Sequence, residues 1–540
     1  MFRLIRIVLT ASQLAPGMHA LRELVSIVTK QKLRAASLLT VKALQPGPLS
    51  MRLYDLVAEG KVENDEQAMA ALYPGEQQRN VSYLRIKKSL RDYLVQMLLV
   101  IDPNLPHYNP RQKAYFDSYK KWGAVKLLLG KNAHLTILEL ADEVLRTALR
   151  YDFTDLALDM VRSLRLYYGS IEGNVKKYQQ YGKQVHHLEE MFRYENLAEE
   201  LYTDLVIRFV NDKSTKREVP QVARRYFKQL EDALDKYDSY RLHFTSRLIE
   251  IIIYTSVNDY KSTTEICDKA IRFFDAKDYV ANVPLQAFLY QEMVCYVQLR
   301  DYARGRKAAD RGFKLLEQGS FNWFKYQELL LLLSFHAREY QAAYQIYKST
   351  VKHRRFNGLP DGIKQIWKIF EAYLFYLIQV ERVKPDEPET VISRIRIMRF
   401  LNDVPIYSKD RRGMNIPILN FQILYLILTK EHDEVIDRMM AIQKYSSRYL
   451  KKDDNYRSNC FIKMLLEMPD VGFHRTAVIR HADKYVKMLK KVPLDFANQS
   501  HDIELIPYED LWQMALDSLD NTIYKPKLRK REKTDKRHDE

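Results

Sequence analysis

The sequence has little of what most function classes require. It holds three cysteines in 540 residues, Cys267, Cys295 and Cys460, and no C-x-x-C pair. So sparse and odd a count argues against a disulfide framework and for a reducing compartment, so the expected location is cytoplasmic. Glycine (16) and proline (18) together make up roughly 6% of the chain, about half their usual share. Helix interiors tolerate few of either, so the shortage favours an all-α protein. Long apolar runs are missing too. Leu329 to Leu333 and Ile423 to Leu428 are far too short to cross a bilayer.

The signatures of catalysis are equally scarce. Gly130-Lys131 lacks the upstream glycine and the following Ser or Thr that would cradle a nucleotide phosphate and its magnesium. There is no G-x-G-x-x-G, no H-E-x-x-H among 13 histidines, and no G-x-S-x-G. His186 and His187 are adjacent, so on a helix they point roughly 100° apart and share a metal poorly. Cys267 and Cys295 lie in apolar helical runs, where a thiol is a packing group. Glu189-Glu190 and Glu199-Glu200 read as solvated helix faces. No catalytic residue, cofactor site or metal ligand is therefore assigned, and the chain reads as a non-enzyme.

What is present is charge, tyrosine and periodicity. Lys and Arg number 86 against 69 Asp and Glu, a net charge of +17. A basic surface suits an acidic protein, a nucleic acid or an anionic membrane. Residues 525–540 contribute +4 of that excess, from eight cations against four acids, and read as a disordered basic tail. The rest is spread along the chain, as on ordinary solvated helices. Tyrosine is abundant (37) and tryptophan scarce (4), which suits helix corners, where a ring packs inside while its hydroxyl reaches out.

At this length a single compact core is too small a container, so several domains or an elongated array are expected. Met1 to Ala15 carries Arg3 and Arg6 ahead of a short apolar stretch broken by Thr10, Ser12 and Gln13. Residues 1–17 read as a leader-like segment or an upstream start, with Met18 as the alternative initiator. Residues 18–105 read as a small basic helical module. Its clearest helix, over 80–101, sets Leu84, Leu90, Leu94, Met97, Leu98 and Ile101 on one side and clusters Arg85, Lys87, Lys88 and Arg91 in its first half. From about residue 106 to 383 the pattern repeats: an apolar helical run, a polar pair, then an aromatic opening the next helix. The corners are Asn258-Asp259-Tyr260, Arg300-Asp301-Tyr302 and Arg338-Glu339-Tyr340, with an earlier one at Asp152-Phe153. The three tyrosines are 42 and 38 residues apart. Residues 384–416 hold a polar linker, a helix over 390–401 and a basic loop with Lys409, Arg411 and Arg412. Helix pairs resume over 417–524.

After each corner, small residues recur three and ten positions beyond the tyrosine: Thr263 and Ala270, Gly305 and Gly312, Ala343 and Thr350. This pattern resembles the tetratricopeptide repeat in a divergent form, with spacings longer than the usual period of about 34 and without the first-helix Trp and Gly. The SYLRIKKSLRDYL and KDRRGMNIPIL segments, set in long helical repeats, are also similar to those of uncharacterised bacterial helical-repeat proteins. The resemblance implies a superhelical array of antiparallel helix pairs, that is, a solenoid whose face binds another macromolecule.

Two groups are candidate partner or anion contacts. One is Arg85, Lys87, Lys88 and Arg91, interleaved with Tyr83 and Tyr93 in a way that suits phosphates and bases. The other is the loop cluster Lys409, Arg411 and Arg412. Tyr260, Tyr302 and Tyr340 are structural corner residues. The expected function is a macromolecule-binding scaffold or adaptor whose partner is a protein, biased toward acidic ones. The alternative is a nucleic-acid-binding regulator that uses the basic N-terminal module.

Overall fold

The computed structural model describes residues 18, 21, 22, 25, 47–74, 80–99, 102–103, 105, 108–131, 134–211, 218–386, 415–449, 456–494 and 503–524. Among these, every regular element is helical and there is no strand. The sequence-read leader at 1–17, the helix at 390–401, the basic loop with Lys409, Arg411 and Arg412, and the tail at 525–540 lie outside the described residues. Two compact units divide the chain, and the division does not follow chain order. One takes its described residues from Met1–Glu199, Ala233–Leu242 and Lys277–Val280; the other takes them from Glu200–Asp232, His243–Ala276 and Ala281–Glu540.

In the first unit, α1 (Pro48–Ala58) starts with proline, whose missing N–H is no loss in a first turn. It packs on α2 (Asp65–Leu72) and α3 (Asn80–Leu99). Asn64 caps α2 by accepting the Gln67 N–H at 2.9 Å. Leu53, Leu72, Tyr83, Leu90, Leu94 and Met97 form a core here with Met18, Leu21 and Val25. Next, α4 (Pro110–Leu129), α5 (His134–Arg150) and α6 (Thr154–Ser170) pack in sequence order. Asn109 and Gln112 close a capping box at the start of α4. A second cluster, including Val125, Val144, Ala148, Leu156, Met160 and Leu164, also takes in Val185 and Leu188. Those two come from α7 (Val175–Asn211), a 37-residue helix within which the unit boundary falls. Of the next helices, α8 (Val219–Lys228) belongs to the second unit, and α9 (Glu231–Lys236) and α10 (Tyr240–Thr255) are each divided between the two.

The second unit continues through α11 (Tyr260–Asp275), α12 (Asn282–Leu299), α13 (Tyr302–Lys314), α14 (Phe321–His336), α15 (Tyr340–Val351) and α16 (Asp361–Gln379). Beyond residue 414 come α17 (Asn415–Leu428), α18 (His432–Tyr449), α19 (Tyr456–Asp470), α20 (Arg475–Lys491) and α21 (Tyr508–Asp517). Neighbours in sequence are neighbours in space from α11 to α20, with α12 also packing on α14; α21 packs on α17, α19 and α20. Helices come close together at small residues of the repeat spacing. A Cβ on Gly305 would stand 2.4 Å from Leu333 Cδ2, and one on Gly312 would stand 2.1 Å from Tyr326 Cε1. Thr263, Ala270, Ala309, Ala343 and Thr350 are fully buried.

Helix ends repeat one geometry. Asp152, Asn258, Arg300, Arg338, Glu381 and Lys430 are all left-handed, with φ between 55° and 64°. The N–H of each following residue reaches back five positions to a carbonyl, at 2.8 to 3.0 Å: Phe153 to Ala148, Asp259 to Tyr254, Asp301 to Tyr296, Glu339 to Ser334, Arg382 to Leu377 and Glu431 to Leu426. This is the Schellman closure, which satisfies carbonyls orphaned at a helix end. In five of the six, all but Arg382, that same following residue also stands at the start of another helix. Asp259 and Asp301 accept the N–H groups of Ser262 and Arg304 at 3.0 Å and so cap α11 and α13.

Candidate functional site

Of the sequence-nominated cations, four lie on α3. Arg85, Lys88 and Arg91 are exposed, and Arg91 pairs with its neighbour Asp92 at 2.9 Å. Lys87 instead turns inward to Asp65 at 2.7 Å, and the same carboxylate accepts the Tyr83 hydroxyl at 2.6 Å. Burial tends to raise the Asp65 pKa, but Lys87 and Tyr83 together hold it below the ordinary carboxylate value. Tyr83 and Tyr93 are buried core residues, so neither offers a ring face to a base. Tyr260, Tyr302 and Tyr340 each occupy the first position of a helix. Tyr260 donates to Asn258 Oδ1 at 3.2 Å.

Tyr340 leads to a feature that residue spacing did not reveal. Within the second unit, a cleft of about 740 Å³ is lined by Arg338 and Tyr340, by Arg382, by Met464 on α19, by α20 from Ile479 to Lys490, and by α21 from Glu509 to Leu516. Met464, Leu489, Trp512, Met514 and Leu516 supply a buried apolar lining, while Ile479, Asp483, Lys490 and Gln513 are exposed. The corner at Arg338 sets one wall. Its backbone turns left-handed, and its guanidinium grips both oxygens of Asp510 at 2.7 and 3.0 Å. A forked pair of this kind fixes orientation as well as charge.

Beneath α21 lies a buried charge network. Arg457 and Glu504 have side chains with no solvent exposure. Arg457 donates to Glu504 at 2.7 and 2.9 Å, to Glu509 at 2.8 and 2.9 Å, and to the Val492 and Leu489 carbonyls at 2.8 and 3.4 Å. Glu504 also accepts the Tyr508 N–H at 2.9 Å, at the start of α21, and its carbonyl lies 2.8 Å from His336 Nε2 at the end of α14. The Tyr508 hydroxyl meets Ser458 at 2.8 Å, and its ring stacks on Phe461. Burial raises the Glu504 pKa, against the pull of Arg457. At Glu509 burial also pushes upward, but Arg457 and Arg300 prevail and hold it below the ordinary range. A buried cation with two carboxylates and two backbone acceptors meets the condition that buried charge be fully paired.

The engagements within the cleft are unequal. All three lining carboxylates are committed: Asp510 to Arg338, Glu509 to Arg457, and Asp483 to Lys487 at 2.6 Å. Among the cations, Arg382 reaches only Asp517, at 3.8 Å, and Lys490 has no ion-pair partner among the described residues. The Tyr340 hydroxyl is buried without a hydrogen-bond partner among the described residues, and burial with Asp510 nearby raises its pKa. Sequence reading singled out Tyr340 for its place at a corner. It missed Arg382, Lys490 and Arg457, which stand in no motif and are brought together only by packing. Among the described residues no group of three His, Cys, Asp or Glu converges as a metal site, and no helix is long and apolar enough to cross a membrane.

Comparison of the chain with protein families, with curated proteins and with solved structures finds no match.

Proposed function

We propose that this protein is a non-enzymatic binding scaffold of the cytoplasm, in which helix pairs stack as a tetratricopeptide-like solenoid and hold a protein partner. The observation that carries this reading is the cleft. A concavity of this size, apolar inside with a few placed charges, is the form that recognition sites take. The sequential packing of α11 to α20 supports the array, and the close approaches at Gly305 and Gly312 support the repeat resemblance. The net charge of +17 biases the partner toward acidic proteins and makes encounter sensitive to salt.

The test is capture with the purified full-length protein at roughly 50 and 300 mM salt, followed by rebinding with the captured protein made separately. The reading expects an acidic protein that rebinds stoichiometrically at low salt and more weakly at high salt. Recovery of nothing that rebinds overturns it. A second reading, nucleic-acid binding, rests on the exposed Arg85, Lys88 and Arg91 of α3. It expects duplex DNA affinity to fall steeply with salt as counterions are released, and charge reversal at Lys88 and Arg91 to abolish binding with the helices intact. Affinity that survives that reversal rules this second reading out.

A further inference from the structure

The cleft's chemistry narrows what it can hold, and the narrowing rests on the protein-binding reading above. Its buried lining of Met464, Leu489, Trp512, Met514 and Leu516 is apolar and sulfur-rich, which suits an aliphatic or aromatic side chain. Its carboxylates are already engaged, so a cationic group entering the cleft would have to displace Arg338 from Asp510, Arg457 from Glu509 or Lys487 from Asp483. Arg382 and Lys490 have charge to spare. The Tyr340 hydroxyl, on a residue only 8% exposed, lines the same cleft as a donor with no acceptor among the described residues. A buried hydroxyl without a partner carries a desolvation cost of about 1–3 kcal/mol, which a ligand acceptor would relieve.

We propose that the cleft binds a short peptide segment in which a carboxylate stands beside an apolar side chain. Arg382 and Lys490 receive the carboxylate, Tyr340 donates to an acceptor on the segment, and the apolar side chain fills the pocket against Trp512 and Leu489. A carboxylate can come from an internal Asp or Glu or from a peptide's C-terminus, and Arg382 and Lys490 would accept both. A phosphate-rich strand fits poorly, because it would bring charge but nothing for the apolar lining.

The experiment uses the full-length protein and three fluorescein-labelled pentapeptides read by anisotropy. Ser-Leu-Phe-Glu-Leu-amide carries an internal carboxylate, Ser-Leu-Phe-Gln-Leu a terminal one, and Ser-Leu-Phe-Gln-Leu-amide none. The expected result is that at least one carboxylate peptide binds ten-fold or more tightly than the neutral one, and the better of the two identifies the source. Arg382→Ala with Lys490→Ala should cost that peptide at least ten-fold, and Tyr340→Phe two- to five-fold, with helicity by circular dichroism unchanged. Equal binding of the neutral peptide overturns the proposal, as does full binding by the double variant or binding of none of the three. Those failures differ from failure of the scaffold reading. If a captured partner still rebinds to the Arg382→Ala/Lys490→Ala protein, the scaffold stands and this site falls.

Discussion

At the scale of the residue, the most consequential side chains are ionisable groups placed where water is excluded. Glu292 on α12 is one. Burial, then the neighbouring carboxylate of Asp268, pushes its pKa from 4.5 up to about 8. A carboxyl whose folded pKa is raised holds its proton more tightly in the folded state. Its contribution to stability is therefore full below about pH 4.5 and is lost as pH rises through about 8. We expect Glu292→Gln to flatten this part of the stability–pH curve, so that the variant gains on the parent between pH 6 and 9 in urea melts. Parallel curves for the two proteins would show that the carboxyl is already ionised in the fold. Nothing in the sequence marks Glu292 as special, since one glutamate in an apolar helix reads like any other until Asp268 is packed against it.

At the scale of the element, the recurring unit is the left-handed corner. A left-handed conformation costs an L-residue roughly 1–2 kcal/mol, and glycine escapes that cost. Yet Arg300, Arg338, Glu381 and Lys430 hold it. At Arg338 a reason is visible, because the corner aims its guanidinium at Asp510. Lys430 likewise reaches Asp520 at 2.9 Å. Glu381 is exposed and, among the described residues, its side chain makes no ion pair. Glu381→Gly should therefore stabilise the protein by about 1 kcal/mol, read as a higher urea midpoint at unchanged slope. A lower midpoint would mean that the Glu381 side chain is doing something the backbone geometry does not reveal. Sequence reading located polar pairs before aromatics but not the left-handed residues themselves. The usual marker of that conformation is glycine, and here all six positions carry other residues.

At the scale of the whole molecule, each compact unit has its own means of cohesion. In the second unit, Arg457 ties α19, the end of α20, the segment before α21 and α21 itself into one network. Removing it leaves Glu504 buried without its cation. Arg457→Ala should destabilise by about 3–5 kcal/mol. The double change Arg457→Leu with Glu504→Leu should cost clearly less, since it removes the stranded charge along with its partner. Chemical denaturation of both variants tests this, and equal losses would show that shape rather than charge pairing governs the site.

The all-helical class was legible because it depends on local quantities. Scarce glycine and proline, apolar residues at spacings of three and four, and cap residues ahead of periodic runs act within a few turns of backbone. Composition alone likewise set the basic charge and the sparse, unpaired thiols. The cleft was not legible, because its lining comes from segments as distant as 338 and 516, and no local rule places Lys490 near Arg382. The same holds for Arg457, an unremarkable arginine in a polar stretch that packing turns into the buried centre of four carboxylate and carbonyl acceptors. Periodicity determines which face of a helix is apolar. Only the tertiary structure decides which charges are left over once those faces have met, because pairing depends on distance in space rather than along the chain.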